Sequence, residues 1–140
     1  MVHSKRTLIC GDFNMDPFES GMLEYDGFNA MQTESLAIKR HRNIDGKPYQ
    51  MFYNPTWGLM GDLNGRDVPG TYYYAPSHPI QQYWHLLDQV IMRPDVISVF
   101  DKSQLKIVTK GQTYNLLNRN NNIDETNYSD HLPIKFHLNI

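Results

Sequence analysis

Three segments of the chain carry side chains suited to handling a phosphoester. Gly11-Asp12-Phe13-Asn14 follows a short β-prone run, Thr7-Leu8-Ile9-Cys10. Trp84-His85-Leu86-Leu87-Asp88 opens the most strand-like stretch, Trp84 to Met92, which stops at Arg93-Pro94. Ser129-Asp130-His131 runs into Leu132-Pro133-Ile134 and a final strand. Each segment puts acid, amide or imidazole groups at a strand terminus. Three strands ending side by side would bring those groups to one spot.

Such a set suits hydrolysis of a phosphoester. A hard cation on the phosphate oxygens takes carboxylate ligands. A carboxylate also aligns and deprotonates an attacking water. Asn and His donate to the charge that grows on the phosphoryl oxygens. A second carboxylate fixes a histidine's tautomer by accepting its other N–H.

In this order, the three segments resemble the endonuclease/exonuclease/phosphatase superfamily. That superfamily includes DNase I-like nucleases, abasic-site endonucleases, inositol-polyphosphate phosphatases and sphingomyelinases. The resemblance runs from Thr7 to the last strand and matches the C-terminal half of the family. It implies that Asp12 orients the attacking water and lies near the metal, and that Asn14 binds the transition-state phosphoryl group. It implies that Asp88 orients the catalytic histidine, His131, which contacts the phosphate. Asp130 then becomes a metal-binding or metal-proximal carboxylate. Asp12, Asn14, Asp88 and His131 are thus the expected catalytic residues, Asn14 and His131 the substrate contacts, and Asp130 and Asp12 the metal side chains.

The cofactor implied is Mg²⁺ or Mn²⁺. The substrate implied is a nucleic acid, a nucleotide or a phospholipid headgroup, and the sequence does not choose among them or between endonuclease, exonuclease and phosphatase action. The expected fold is α/β, a mostly antiparallel sheet with flanking helices, corresponding to one half of a DNase I-like two-sheet sandwich. Residues 1–140 are expected to form a single domain.

The sequence departs from the family in two places. The family places one residue fewer between the aromatic and the Asp of the second segment; here His85-Leu86-Leu87 separates Trp84 from Asp88, and a bulge would absorb the extra residue. The family also carries an upstream half holding a metal-binding Glu, and Glu19, Glu24, Glu34 and Glu125 stand in no matching context. The chain alone is therefore expected to bind metal weakly and to be nearly inactive. The rival reading is a non-catalytic half-domain that binds a partner or itself. A homodimer is expected through an apolar sheet face normally covered by the other half, with Leu8, Val90, Ile107 and Ile134 as candidates for that face.

Blander readings hold elsewhere. Gly61-Asp62-Leu63-Asn64 repeats the Gly-Asp-x-Asn pattern but follows no β run and reads as a turn in the loop from Asn54 to Gly70. His3, His41 and His137 read as solvated or edge histidines, His78 as a loop residue, and His85 as strand packing. Trp57 and Tyr72 to Tyr74 read as packing aromatics, Lys39 to Arg42 as a solvated helix end, and Asn118 to Asn122 as a loop.

Bulk properties set the frame. Hydrophobic residues make up 40% and charged residues 20% of the 140, as in folded proteins. The net charge of -2 argues against a strongly basic nucleic-acid-binding module, though not against nucleic acid as a substrate. Cys10 is the only cysteine, which excludes an intrachain disulfide and a Cys-based zinc site. No apolar run approaches a membrane span and no leader precedes Thr7, so a cytoplasmic protein is expected, with export of a longer precursor left open. Further helices are expected over Met22 to Met31 and Ser35 to Arg40, and strands over Tyr49 to Tyr53, Gly70 to Tyr74, Leu105 to Thr109 and Leu132 to Ile140.

Overall fold

A four-stranded sheet carries the first two segments of the candidate site. The computed structural model describes residues 4–62 and 68–140. Its main sheet has β1 (Leu8–Asp12) at one edge, then β8 (Asp88–Met92), β5 (Phe52–Tyr53) and β2 (Ala30–Met31). β1 pairs antiparallel with β8, and β5 does the same, while β2 runs parallel to β5. Three two-stranded ribbons accompany it. They are β3 (His41–Ile44) with β4 (Lys47–Gln50), β6 (Tyr72–Tyr73) with β7 (Trp84–His85), and β9 (Phe100–Ile107) with β10 (Ile134–Leu138). All three are antiparallel. The chain is thus mixed α/β, mostly strand and mostly antiparallel.

The helices are single turns: α1 (Ser20–Leu23), α2 (Glu34–Ala37) and α3 (Pro94–Ile97). The helix expected over Met22 to Met31 does not form; α1 ends at Leu23, where Glu24 turns to extended backbone, and Ala30–Met31 joins the sheet instead. Pro94 sits at the first position of α3, where its missing N–H costs nothing. Arg40 closes α2 onto α3 through a two-pronged bond to Asp95, at 3.0 and 2.5 Å. The expected loop from Asn54 opens with a 3-10 helix, Pro55–Leu59, capped by the Asn54 side chain at Thr56 N–H. Part of the Gly61–Asn64 turn, and His3, lie outside the described residues.

Both faces of the main sheet are covered, which follows from the side-chain alternation of β8. Val90 and Met92 point into one cluster with Tyr53, Val96, Ile97 and Phe100, and Leu8, Ile134 and Phe136 pack against it. Ile91 points the other way, to Met22, Ala30 and Phe52, with Ile9 and Phe13 alongside. Fully buried side chains such as Val90, Ile91 and Met92 each contribute roughly 1.5–3 kcal/mol. Of the four residues named for an apolar sheet face, Val90 is fully buried, Leu8 and Ile134 are partly buried against the same cluster, and Ile107 is partly buried against a third cluster around Leu132 and Ile123. Ile140, at the end of the strand expected over Leu132 to Ile140, lies past β10 and is fully exposed. No helix among the described residues is long and apolar enough to cross a membrane.

The stretch from Trp84 to Met92, which reads as one strand, is two. Trp84–His85 pairs with β6, and Asp88–Met92 pairs with β1. Leu86 and Leu87 form the joint between them.

Candidate functional site

β1 ends in a turn that glycine and asparagine make possible. Gly11 has φ +148°, a region that side chains with a Cβ rarely enter. Nothing lies within 4 Å of where a Cβ would stand, so backbone conformation and not space calls for glycine. Asp12 then folds the chain over itself: Asn14 N–H donates to its Oδ1 at 2.8 Å, and Asn14 Nδ2 donates to its Oδ2 at 3.3 Å. Asn14 has φ +51°, which asparagine tolerates better than most residues.

Asp88 lies directly across the ladder from Asp12. The neighbouring bonds, Phe13 N–H to Leu87 O and Arg93 N–H to Thr7 O, make Asp12–Asp88 a non-hydrogen-bonded pair. That kind brings side chains closest, with Cα atoms about 4.5 Å apart. Both side chains point to the face that carries Leu8, Val90 and Met92, by alternation along the two strands. Facing carboxylates repel, so the pair favours any cation held near it.

His131 reaches this pair from the start of the last strand segment. Its Nδ1 lies 2.8 Å from Asp88 Oδ2. A carboxylate can only accept, so Nδ1 carries the proton and Nε2 is the nitrogen turned to a ligand. Thr71, fully buried, holds the arrangement. Its Oγ1 accepts from Asp88 N–H at 3.1 Å, its carbonyl accepts from Leu132 N–H at 2.8 Å, and its own N–H donates to His85 O at 2.8 Å. One threonine thereby links the strand of Asp88, the segment of His131 and the β7 strand.

A second His–Asp pair stands beside the first. The buried Asp16 carboxylate accepts from His85 Nδ1, Gln82 Nε2 and Leu86 N–H, each at 2.7 Å. Tyr72 is the cross-strand neighbour of both His85 and His131. The three rings therefore share one face in a row, with Tyr72 centred 6.3 Å from His85 and 4.9 Å from His131. Beneath Leu87, Gln89 is buried and tied to Asn54 Nδ2 at 2.8 Å and Met15 O at 2.5 Å.

Asp12, Asn14, Asp88 and His131 are thus joined by hydrogen bonds and strand register into one cluster. Asp130 is next to His131 in the chain and exposed. Asp16 and Thr71 are absent from the residues singled out by sequence, and Tyr72 reads there as a packing aromatic. Asp16 and His85 lie 69 positions apart, with no spacing pattern to connect them. His41, His78 and His137 are exposed, as read from the sequence.

The carboxylates suit a hard cation in kind. Among the described residues no three His, Cys, Asp or Glu side chains form a metal-holding group. Mg²⁺ keeps several waters and is bound through one or two carboxylates plus substrate phosphates. Asp12, facing Asp88 across the ladder, and Asp130, next to His131 in the chain, are carboxylates of the kind such a cation takes. A cavity of about 420 Å³ adjoins His131, lined by Tyr114, Leu116, Tyr128, Ser129, His131 and Pro133. A larger one of about 730 Å³, between Ile9, Tyr25, Tyr49 and Phe52, includes none of the site residues.

Set against protein-family models, curated proteins and solved structures, the chain matches none.

Proposed function

We propose that this cluster is the phosphoryl-handling part of a Mg²⁺- or Mn²⁺-dependent phosphohydrolase site, related to the endonuclease/exonuclease/phosphatase superfamily. The observation that carries the reading is the joining of Asp88 to His131 at 2.8 Å with Asp12 across the ladder from Asp88. Sequence order alone does not require that meeting. In this reading Asp88 accepts from His131 Nδ1 and stabilises the imidazolium, whose protonated Nε2 donates to a phosphate oxygen. Asn14, fixed by Asp12, donates its amide to the phosphoryl group, and the free lone pairs of Asp12 align the attacking water. Asp12 and Asp130 would hold the cation, which when bound neutralises charge on the phosphate oxygens. The fold reading that accompanies it is half of a two-sheet sandwich, completed by strands that supply a further carboxylate.

The test is a nuclear magnetic resonance titration of the 140-residue chain. Mn²⁺ and a simple phosphodiester such as dimethyl phosphate are added separately and together. Broadening by Mn²⁺ is expected at Asp12 and Asp130, and ester-induced shifts at Asn14 and His131. A hydrolysis assay on nucleic acid, nucleotide and phosphocholine esters runs in parallel, with low turnover expected because the family's Glu has no counterpart. Ester shifts confined to residues outside Asn14, Asp88 and His131 would overturn the reading.

A second reading is a half-domain that binds a partner or a copy of itself. β1 supports it, since it pairs on one side only and its last three residues are exposed. Sedimentation across a concentration series tests it; a compact monomer throughout counts against self-association.

A further inference from the structure

The cavity beside His131 is built by two turns that bring distant tyrosines together. In the first, Gly111 N–H donates to Tyr114 O at 3.0 Å, and the Tyr114 ring lies against Gly111 so closely that a Cβ there would overlap it. In the second, Tyr128 N–H donates to Asp124 O at 3.0 Å, and the Asn127 amide is held by the Asp124 carboxylate. Leu116 O accepts from Asp124 N–H at 2.9 Å, which fastens one turn to the other. The tyrosine rings meet with centroids 6.4 Å apart and planes at 49°. Both remain about half exposed, at 45% and 51%, so their ring faces are open to a ligand.

We propose that this cavity receives the nucleobase of a nucleotide ester whose phosphate sits at Asn14 and His131. The proposal rests on the phosphohydrolase reading and gives it a substrate class. His131 belongs to both sites: its Nδ1 is pinned by Asp88, and its ring forms part of the cavity wall. A group in the cavity is therefore one short linkage from the phosphoryl position, as a base is through its sugar. The volume of about 420 Å³ falls in the lower range of ligand pockets, suited to one ring system.

The lining selects among headgroups. Leu116, Pro133 and two tyrosine rings offer apolar and π surface, with polar atoms only at Ser129, His131 and the tyrosine hydroxyls. A polyol ring would leave hydroxyls without partners. A quaternary ammonium is favoured by ring faces on several sides, whereas here the lining holds two tyrosine rings, tilted at 49° to each other. A planar base stacks on one of these faces and turns its polar edge to the hydroxyls.

The experiment titrates the full chain in Mg²⁺ with adenosine 5′-monophosphate, ribose 5-phosphate, phosphocholine and a single-stranded tetranucleotide. The nucleotide is expected to bind at least about fivefold more tightly than ribose 5-phosphate. Tyr128→Ala and Gly111→Ala should erase that difference and leave ribose 5-phosphate unaffected, while Tyr128→Phe retains it. Gly111→Ala moves the Tyr114 ring without removing it, so it separates loss of the platform from loss of the fold. A tetranucleotide that binds more tightly than the mononucleotide identifies a strand as the source of the base, and the reverse identifies a free nucleotide. Equal affinity for nucleotide and sugar phosphate, or tighter binding of phosphocholine, overturns the proposal. Failure of ribose 5-phosphate to shift Asn14 and His131 overturns the phosphoester reading separately.

Discussion

His131 Nδ1 stands 2.8 Å from Asp88 Oδ2 although 43 residues separate them in the chain. The bond fixes which imidazole nitrogen faces outward. In Asp88→Asn the amide can present a donor instead of an acceptor, and the ring is free to take the other tautomer. Phosphate-ester binding is expected to weaken about tenfold, and Mn²⁺-supported turnover to fall about a hundredfold or more. Thermal denaturation should move by only a few degrees, roughly the effect of 1 kcal/mol. Unchanged ester binding in this variant would remove Asp88 from its positioning role.

Thr71 is expected to matter out of proportion to its size. Thr71→Val keeps the shape and the backbone bonds but removes the acceptor for Asp88 N–H. Leaving that N–H without its partner costs about 1–3 kcal/mol. Urea denaturation should show the loss, and ester shifts at His131 should shrink with it. Thr71→Ser should restore both; stability that Ser does not recover would show that the methyl group, not the hydroxyl, is what matters.

Asp16→Ala is expected to be among the most destabilising single changes in the chain. It strips a buried carboxylate from Leu86 N–H, Gln82 and His85 together. The expected cost is about 3 kcal/mol, the range for breaking a buried, multiply bonded charged group. The same denaturation curves decide it, and a loss below about 1 kcal/mol would mean that the carboxylate is not holding the joint.

Gly11→Ala should destabilise through the backbone alone. The φ of +148° is the cause and no neighbouring atom is in the way. A cost of about 1–3 kcal/mol is expected. The variant should also lose the Asn14 response to esters, because the turn that aims Asn14 starts at this residue.

The Arg40–Asp95 pair carries a pH signature. The hydrogen bond from Arg40, first, and its positive charge hold the Asp95 carboxyl below its ordinary value. A depressed carboxyl contributes stability above its unfolded value, and that contribution fades as pH falls through the folded value. The difference in stability between the chain and Asp95→Asn should therefore be present at neutral pH and vanish in acid. The pair is exposed, so the difference is small and shrinks in salt. A difference that grows as pH falls would contradict the pairing.

The parts legible in the sequence were those set by local pattern. The β-prone run before Gly11, the strand after Asp88 and the alternation of Ile134, Phe136 and Leu138 all appear where the sequence put them. Asp12 through His131 were found because each sits at a strand end beside a recognisable turn. What the pattern hid were choices made by tertiary contact. Trp84 to Met92 has no glycine or proline to mark a break and reads as one strand, and the Asp16 carboxylate at Leu86 and Thr71 at Asp88 show why it divides. Tyr49 to Tyr53 likewise splits between the β3–β4 ribbon and the main sheet at Met51, whose N–H is taken by Arg40 O. Single-turn helices such as α1 and α2 have too few residues for a periodicity to register.

The joint at Leu86 and Leu87 also separates what can be lost from what must be kept. Deleting one residue there would turn every β8 side chain to the opposite face. Val90, Ile91 and Met92 are apolar on both faces, so hydrophobic matter would still meet hydrophobic matter. Asp88, by contrast, would turn away from His131, and Gln89 from Asn54. Such a deletion would spare the core and break the Asp88–His131 contact. The length of this joint thus sets the position of Asp88 more tightly than it sets the packing of β8.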